Sequence, residues 1–199
     1  MATLIFPGLG GSGEGHWQRY WLADLPDAQL VEQVDWDRPD LDAWMANAIA
    51  GIEANPGSVL VGHSLGAVLI AHIAANRPDL EIAGALLVAP ADVDDAVRLA
   101  VQFGPMPTAP FQFRSIVVAS RTDPYMDFDR ARVLSSMWEA QFIDLGHAGH
   151  INVASGYGAW PEGRLLIDRL LGRRSRPFLI SSHPEREKPG AKSKQTARA

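Results

Sequence analysis

Residues 58–66 read Ser-Val-Leu-Val-Gly-His-Ser-Leu-Gly, and this stretch decides the fold. An apolar run of strand length ends at Gly62, and a run of small apolar residues with helical length begins at Gly66. The pattern G-x-S-x-G is typical of a serine on a tight strand-to-helix turn, where a side chain at either flanking glycine would collide with neighbouring backbone. The pattern is weak by itself in a chain with 18 glycines. Its place between a strand and a helix favours a catalytic Ser64.

Outward from this turn, short apolar runs alternate with longer amphipathic ones, which predicts a parallel sheet covered by helices. The predicted strands are 3–6, 28–33, 58–62, 83–88, 115–120 and 141–145. The predicted helices are 41–54, 66–75, 94–101, 128–138 and 161–171, and the prolines within 103–113 predict a loop. Together these elements predict one doubly wound α/β domain over 1–172, with a mainly parallel six-stranded sheet and no cap domain.

Composition excludes several classes of protein. Of the 199 residues, 47% are hydrophobic and 21% are charged, the mix of a globular chain. No apolar run approaches the roughly 20 residues needed to cross a bilayer, so a membrane protein is not expected. The absence of cysteine excludes disulfides, a thiolate zinc site and a cysteine nucleophile. The first residues lack a basic region and a cleavage site, which predicts a cytoplasmic protein.

Charge is distributed unevenly along the chain. Residues 173–199 hold eight basic and two acidic side chains, so the net charge of −5 hides a strongly acidic body. The segment also holds three prolines and few apolar residues, which predicts a disordered tail. An arm that attracts a protein partner is the alternative for this tail. The acidic body argues against binding to nucleic acid.

A serine nucleophile needs a base, and the base needs an acid to orient it. In α/β hydrolases the acid and then the histidine follow the serine along the chain. Asp123 stands after the fifth predicted strand, while Asp92, after the fourth, is the alternative acid. His147 and His150 both follow the sixth predicted strand, and their positions alone do not choose between them.

The remaining histidines and the segment after the fourth strand bear on the pocket. His63 is predicted to point away from the serine and pack, and His72 to be a structural residue on a helix face. Residues 89–113 are too few for a helical cap, which predicts a shallow cleft that prefers acyl groups of about two to six carbons. The residues predicted to line this cleft are His16, Trp17, Phe103, Met106 and Phe111.

Several motifs together resemble one known family. They are Gly62-His63-Ser64-Leu65-Gly66, Ser120-Arg121-Thr122-Asp123-Pro124, Gly149-His150-Ile151-Asn152 with Ser155-Gly156, Trp160-Pro161-Glu162-Gly163, and Asp35-Trp36-Asp37-Arg38-Pro39 with Trp44. The chain resembles, over residues 4–171, the small α/β-hydrolase family of retinoblastoma-binding protein 9 and its bacterial relatives. The resemblance implies a serine hydrolase that acts on esters or amides. It also implies that His150, the histidine before the asparagine, is the base.

The glycine-rich loop at 7–13 can bring a backbone N–H close to a substrate carbonyl. By analogy with α/β hydrolases, the predicted oxyanion hole consists of the N–H groups of Leu9 and Leu65, with Gly10 as the alternative to Leu9. The same loop spells Gly8-x-Gly10-x-x-Gly13, a fingerprint of dinucleotide binding. Pro7 before the first glycine and Glu14 after the last argue against that use.

Two further alternatives come from other classes. One is a hydrolase fold that binds a protein partner and has lost catalysis. The presence of the serine, the acid and the histidine gives this alternative no support. The other is a metal site at His147 and His150 with Asp144 or Asp123, but no glutamate lies between the histidines and the spacing falls on a loop. The sequence therefore predicts hydrolysis of a small ester or amide by Ser64, Asp123 and His150, with no cofactor and no metal.

Overall fold

The computed structural model describes residues 1–94 and 102–173, which contain a six-stranded sheet. The order across the sheet is β2-β1-β3-β4-β5-β6, and every neighbouring pair is parallel. The predicted doubly wound α/β architecture is confirmed. The strands are β1 (Thr3–Phe6), β2 (Ala28–Leu30), β3 (Ser58–His63), β4 (Ile82–Val88), β5 (Ser115–Ala119) and β6 (Gln141–Asp144).

Helices cover both faces of the sheet. They are α1 (Trp17–Asp24), α2 (Leu41–Glu53), α3 (Leu65–Asn76), α4 (Phe128–Met137) and α5 (Pro161–Leu170), with a short 3₁₀ turn at Val153–Ser155. Buried residues of α2, α3 and α4 share one hydrophobic cluster, and those of α1 and α5 share the other. The sheet therefore separates two cores.

The strand pattern explains these two cores. In β3, Val59 and Val61 belong to the cluster with α1 and α5, while Leu60 belongs to the cluster with α3. Successive side chains of a strand point to opposite faces, so a strand covered on both faces is apolar throughout. All six residues of β3 are buried.

The chain reverses its direction of travel across the sheet between β1 and β3. After β1 it moves outward to β2, and it then returns to place β3 on the other side of β1. Phe6 at the end of β1 lies beside Gly62 in β3. Ligands of doubly wound folds bind where such neighbouring strands end, and here the glycine-rich loop after β1 faces the turn after β3.

The structure differs from the sequence prediction mainly at α1, which was not predicted. His16 caps this helix with Nδ1, an acceptor outside the usual set of capping residues. The predicted helix at 94–101 falls, after Asp94, outside the described residues, as does the predicted tail after Arg173. In the described part of the chain no cap domain covers the sheet, and no helix there is long and apolar enough to cross a membrane.

Candidate active site

Ser64 occupies a strained turn between β3 and α3. Its φ of 53° and ψ of −120° place it in a backbone region that side chains other than glycine rarely adopt. A methyl group on Gly62 would come within 2.7 Å of the Ala67 Cα, and one on Gly66 would overlap the carbonyl oxygens of Phe6 and Pro7. The two glycines therefore allow the turn that lifts the serine hydroxyl away from the sheet.

The structure brings Ser64, His150 and Asp123 together. The His150 Nε2 lies 2.9 Å from the Ser64 Oγ, and its Nδ1 lies 2.9 and 3.0 Å from the two carboxylate oxygens of Asp123. The side chains of His150 and Asp123 are only 8% and 3% exposed, respectively. This arrangement of a hydroxyl, an imidazole and a carboxylate is the geometry that acyl transfer by serine requires.

Hydroxyl side chains hold the turn that carries His150. The Ser155 Oγ accepts a hydrogen bond from the His150 backbone N–H at 3.0 Å. The Thr122 Oγ1 accepts from the Gly149 N–H at 3.1 Å, and the Ser120 Oγ accepts from the Ala148 N–H at 3.0 Å. The loops after β5 and β6 are therefore tied together at the point where the acid and the histidine meet.

Two further histidines pack beside His150. The His63 Nε2–H donates to the His150 carbonyl oxygen at 2.9 Å, and the His63 ring lies between His16 and His150, with both centroid distances at 4.8 Å. Burial lowers the pKa of His63 well below its usual value, and the neighbouring histidines lower it further. Burial, His150 and Arg19 together lower the pKa of His16 to about 4. Both rings are therefore neutral near pH 7.

Backbone N–H groups lie near the serine. Leu65 begins α3, and the first N–H groups of a helix have no partner within it. A methyl group on Gly8 would lie 2.8 Å from the Ser64 Cβ and 3.3 Å from the Leu65 nitrogen, so the glycine-rich loop approaches the serine closely. The Gly10 N–H already donates to the Trp36 carbonyl oxygen. Of the two alternatives for the second oxyanion-hole donor beside Leu65, the Leu9 N–H is therefore favoured over that of Gly10.

A cavity of about 230 Å³ opens beside Ser64. The residues lining it include His16, as the sequence predicted, together with Leu9, His63, Ala91, Tyr125 and Asn152.

The other four predicted lining residues lie in the two cores and not on this cavity. Trp17 is fully buried and donates to the Ile151 carbonyl, and Phe103 packs against Trp44 and His72. Phe111 stacks on Trp138, and Met106 belongs to the same cluster. The prediction was wrong for these four because large apolar side chains near a cleft gain more from full burial than from lining it.

The alternative residues have other contacts. Asp92 is buried and pairs with Arg130, and its Oδ1 accepts from the Asp94 N–H. His147 is exposed on its loop. The His72 Nε2 contacts the Phe103 carbonyl at 2.7 Å, which is the structural role predicted for it.

The rival ligand sites find little support. In residues 1–94 and 102–173 no group of three or more His, Asp or Glu side chains could hold a metal ion. The glycine-rich loop does not run directly into a helix, because α1 begins only at Trp17. A dinucleotide fingerprint would place its glycines at a helix N-terminus that binds phosphate. Here Gly8 and Leu9 line the cavity beside Ser64.

Sequence reasoning missed Tyr125, Ala91 and Asn152 as lining residues. The Tyr125 ring packs against the His150 ring with 4.6 Å between centroids, and its N–H donates to the Asp123 Oδ1 at 2.9 Å. Tyr125 stands two residues after the acid, and Asn152 two residues after the histidine. That adjacency was the available signal.

The fold and the Ser-His-Asp geometry define the class of protein as an α/β hydrolase. The serine hydrolase family model matches residues 3–169, and the chain belongs to that family. The resemblance to a small serine hydrolase family is thus confirmed. A comparison with curated protein sequences gives no match.

Solved structures support the same class. A YdeN-like hydrolase of Pectobacterium atrosepticum is 30% identical, with a TM-score of 0.78 over 86% of this chain and 90% of that one. The ydeN gene product of B. subtilis is 19% identical, with a TM-score of 0.71 over 86% and 99% of the two chains. Esterase 2 of Thermogutta terrifontis, in a structure phosphonylated by cyclosarin, is 16% identical, with a TM-score of 0.65 over 86% and 81%.

Proposed function

We propose that this hydrolase cleaves small, uncharged esters or amides through an acyl-enzyme on Ser64. The observation that carries the proposal is the unbroken chain of contacts from Asp123 through His150 to the Ser64 Oγ, each at 2.9 Å. Such a chain has no structural necessity at the end of a buried strand, but it is what a serine needs to become a nucleophile.

The proposed reaction has two halves. In the first, His150 accepts the proton of Ser64 while the Oγ attacks the scissile carbonyl, and the Leu9 and Leu65 N–H groups stabilise the oxyanion. His150 then returns the proton to the leaving alcohol or amine as the acyl-enzyme forms. In the second half, His150 takes a proton from water, the water attacks the acyl group, and Ser64 regains its proton as the acid is released. Asp123 holds the imidazole tautomer throughout.

Substrate size follows from the cavity. A volume of about 230 Å³ is below the range of roughly 300–1,000 Å³ typical of sites for drug-sized ligands. Each methylene of an acyl chain left in water forfeits about 0.8 kcal/mol of binding. These two facts support a preference for acyl groups of about two to six carbons.

The test of the proposed triad compares chemically matched variants. Ser64→Ala and Asp123→Asn should each lower kcat/KM for p-nitrophenyl acetate about a thousandfold or more. Asp127→Asn makes the same chemical change at the cap of α4, where asparagine also caps well, and should stay within about twofold of wild type. Equal rates for Ser64→Ala and wild type would overturn the proposal.

The proposed chain-length preference is tested separately with p-nitrophenyl esters of increasing acyl length. The specificity constant should rise to an acyl length within two to six carbons and then level off or fall. A constant that keeps climbing to about twelve carbons would reveal a deep acyl tunnel and would contradict the proposed size limit, while leaving the triad untouched.

A further inference from the structure

Four polar side chains line the cavity beside Ser64 without a part in the proposed triad, namely His16, His63, Tyr125 and Asn152. The His63 Nε2–H already donates to the His150 carbonyl oxygen, and the Tyr125 ring packs against the His150 ring. The other two are His16, at the start of α1, and Asn152, in the turn after His150. The two segments are in contact, since a methyl group on Gly15 would lie 3.9 Å from the Val153 side chain. Both side chains line the same cavity.

The orientation of His16 is fixed by its own helix. Its Nδ1 accepts a hydrogen bond from the Gln18 backbone N–H at 3.2 Å, so Nδ1 carries no proton. In a neutral imidazole the proton is then on Nε2, at the other edge of the ring. His16 is 6% exposed, and within residues 1–94 and 102–173 its Nε2–H has no hydrogen-bond acceptor. Because His16 lines the cavity, a ligand there can supply an acceptor for this N–H.

The orientation of the Asn152 side-chain amide is likewise fixed by hydrogen bonds within its own turn. Its Oδ1 accepts from the Ser155 backbone N–H at 3.1 Å and from the Ser155 Oγ–H at 3.0 Å. Because a backbone N–H can only donate, the atom it contacts is the amide oxygen. The side-chain amide therefore keeps its NH₂ group free of these contacts. Within the described parts of the chain this NH₂ group has no acceptor.

The cavity wall is otherwise uncharged. None of the described residues that line it is Asp, Glu, Lys or Arg. Burial lowers the pKa of His16 to about 4, so its ring is a neutral donor near pH 7 and not a cation. Two neutral donors in a cavity without fixed charge suit an uncharged oxygen acceptor better than a carboxylate, which would lose its hydration without gaining a counter-ion.

We infer that His16 and Asn152 form a donor pair that selects substrates carrying an uncharged acceptor oxygen, such as an ether, hydroxyl or carbonyl, a few bonds from the scissile carbonyl. This inference rests on the proposed function, because it names the substrate class of that same site. A site built to hydrogen-bond a substrate group discriminates against the analogue that lacks it, since its own donors are then left unpaired.

The test uses ester pairs of equal shape that differ only by an oxygen in place of a methylene. On the acyl side the pair is p-nitrophenyl methoxypropanoate and p-nitrophenyl pentanoate. On the alcohol side the pair is methoxyethyl acetate and butyl acetate. Each kcat/KM is divided by the rate of hydroxide-catalysed hydrolysis of the same ester, which removes the intrinsic reactivity of the oxygen-bearing compound. The wild-type protein should prefer the oxygen-bearing ester about tenfold in at least one pair.

Variants then assign the preference to the two side chains. Asn152→Asp keeps the oxygen that accepts from Ser155 and replaces the donor with an acceptor. His16→Asp keeps an acceptor at the cap of α1 and carries no donor in place of the imidazole N–H. Each variant should lower the oxygen-to-methylene ratio about fivefold or more, whatever its effect on the absolute rates. His147→Asn changes an exposed histidine of the same loop and should leave the ratio unchanged.

Each outcome decides the matter. A wild-type ratio within twofold of one in both pairs, or a preference retained in both variants, overturns the donor pair while the proposed function stands. If one variant does not fold, the ratio in the other decides. Wild-type protein that hydrolyses none of the four esters, or Ser64→Ala protein that hydrolyses them equally well, overturns the proposed function and this inference with it.

Discussion

The turn around Ser64 and the turn around His150 meet in one site but are built by different means. The Ser64 turn is held by close backbone packing, because Gly8, Gly62 and Gly66 leave no room for a methyl group. The His150 turn is held by hydrogen bonds that its backbone N–H groups donate to the hydroxyl oxygens of Ser120, Thr122 and Ser155. One turn depends on steric exclusion and the other on a hydrogen-bond network.

The two constructions should respond differently to mutation. Overlap with backbone atoms cannot be relieved by a side-chain rotation, so an added methyl group in the Ser64 turn must move a strand or a helix. Loss of one hydroxyl in the His150 turn removes only the hydrogen bonds that this hydroxyl makes, each worth about 1 kcal/mol, and leaves those of the other two in place. A single substitution should therefore destabilise the Ser64 turn strongly and the His150 turn only slightly. His63, the last residue of β3, lies next to the Ser64 turn and donates to the His150 carbonyl oxygen, so it links the two turns.

The largest expected effect is on activity and concerns the two histidines of the second turn. His150→Ala should lower kcat for a short p-nitrophenyl ester about a thousandfold or more, because the serine loses its base. His147→Ala, in the same loop but exposed, should lower kcat by no more than about threefold. Steady-state kinetics of both variants checks this prediction. Equal losses of kcat would mean that His150 is wrongly assigned as the base.

The next effect is on stability and concerns the first turn. Gly66→Ala forces a methyl group onto the Phe6 and Pro7 carbonyl oxygens and should destabilise the fold by about 3 kcal/mol. That corresponds to a fall in Tm of about 6–12 °C for a chain of this size. Gly13→Ala is the matched control, since a methyl group there meets no described atom within 4 Å. Similar melting curves for the two variants would show that the first turn tolerates added volume.

The link between the turns should make stability depend on pH. His16 and His63 have pKa values below the ordinary 6.5, mainly because of burial, so below pH 6.5 the unfolded chain binds protons that the folded chain does not. The free energy of unfolding should therefore fall as pH falls, by at most about 1.4 kcal/mol per pH unit for each histidine. For His16 the fall ends near pH 4.

Urea denaturation at pH 7 and pH 5.5 measures this slope. His16→Asn removes one of the buried rings whose pKa is lowered, which also include His63 and His72, and should flatten the slope. His147→Asn, which removes an exposed ring, should not. A wild-type free energy of unfolding that rises between pH 7 and pH 5.5, or a slope that His16→Asn leaves unchanged, would contradict the assignment of His16 as a buried neutral histidine.

The smallest effect belongs to the hydrogen-bond network. Ser155→Ala removes the acceptor for the His150 N–H and should lower kcat about three- to tenfold, with a smaller change in KM. Ser155→Thr keeps the hydroxyl and should recover most of the loss. A hundredfold loss in Ser155→Ala with an intact fold would mean that this turn is as intolerant as the Ser64 turn.

How far the sequence predicts each region follows from the same physical difference. The strand pattern and the Gly62 and Gly66 spacing are local, so they predicted the sheet and the serine turn with ends displaced by a few residues at most. The loops that hold Asp123 and His150 were found because the carboxyl ends of parallel strands share one edge of the sheet. The choice of His150 over His147 needed the family resemblance, since both follow the same strand.

The cavity wall could not be predicted in this way. Whether Phe103 or Phe111 faces a cleft or a core depends on which neighbours pack against it, and that is a tertiary property. Helix α1 was not predicted because its N-cap is His16 and not one of the usual capping residues. Asn152 belongs to the motif Gly149-His150-Ile151-Asn152, but the direction of its NH₂ group depends on the turn that Ser155 closes.

The central claim is that Ser64 is an activated nucleophile, and covalent labelling measures this directly. Wild-type protein should react with a fluorophosphonate, and mass spectrometry of the digested protein should find one adduct, on the peptide that carries Ser64. Ser64→Ala should abolish the adduct while its melting temperature stays near that of wild type. An unlabelled wild-type protein that binds NAD saturably, or a label that persists in Ser64→Ala, would contradict the account.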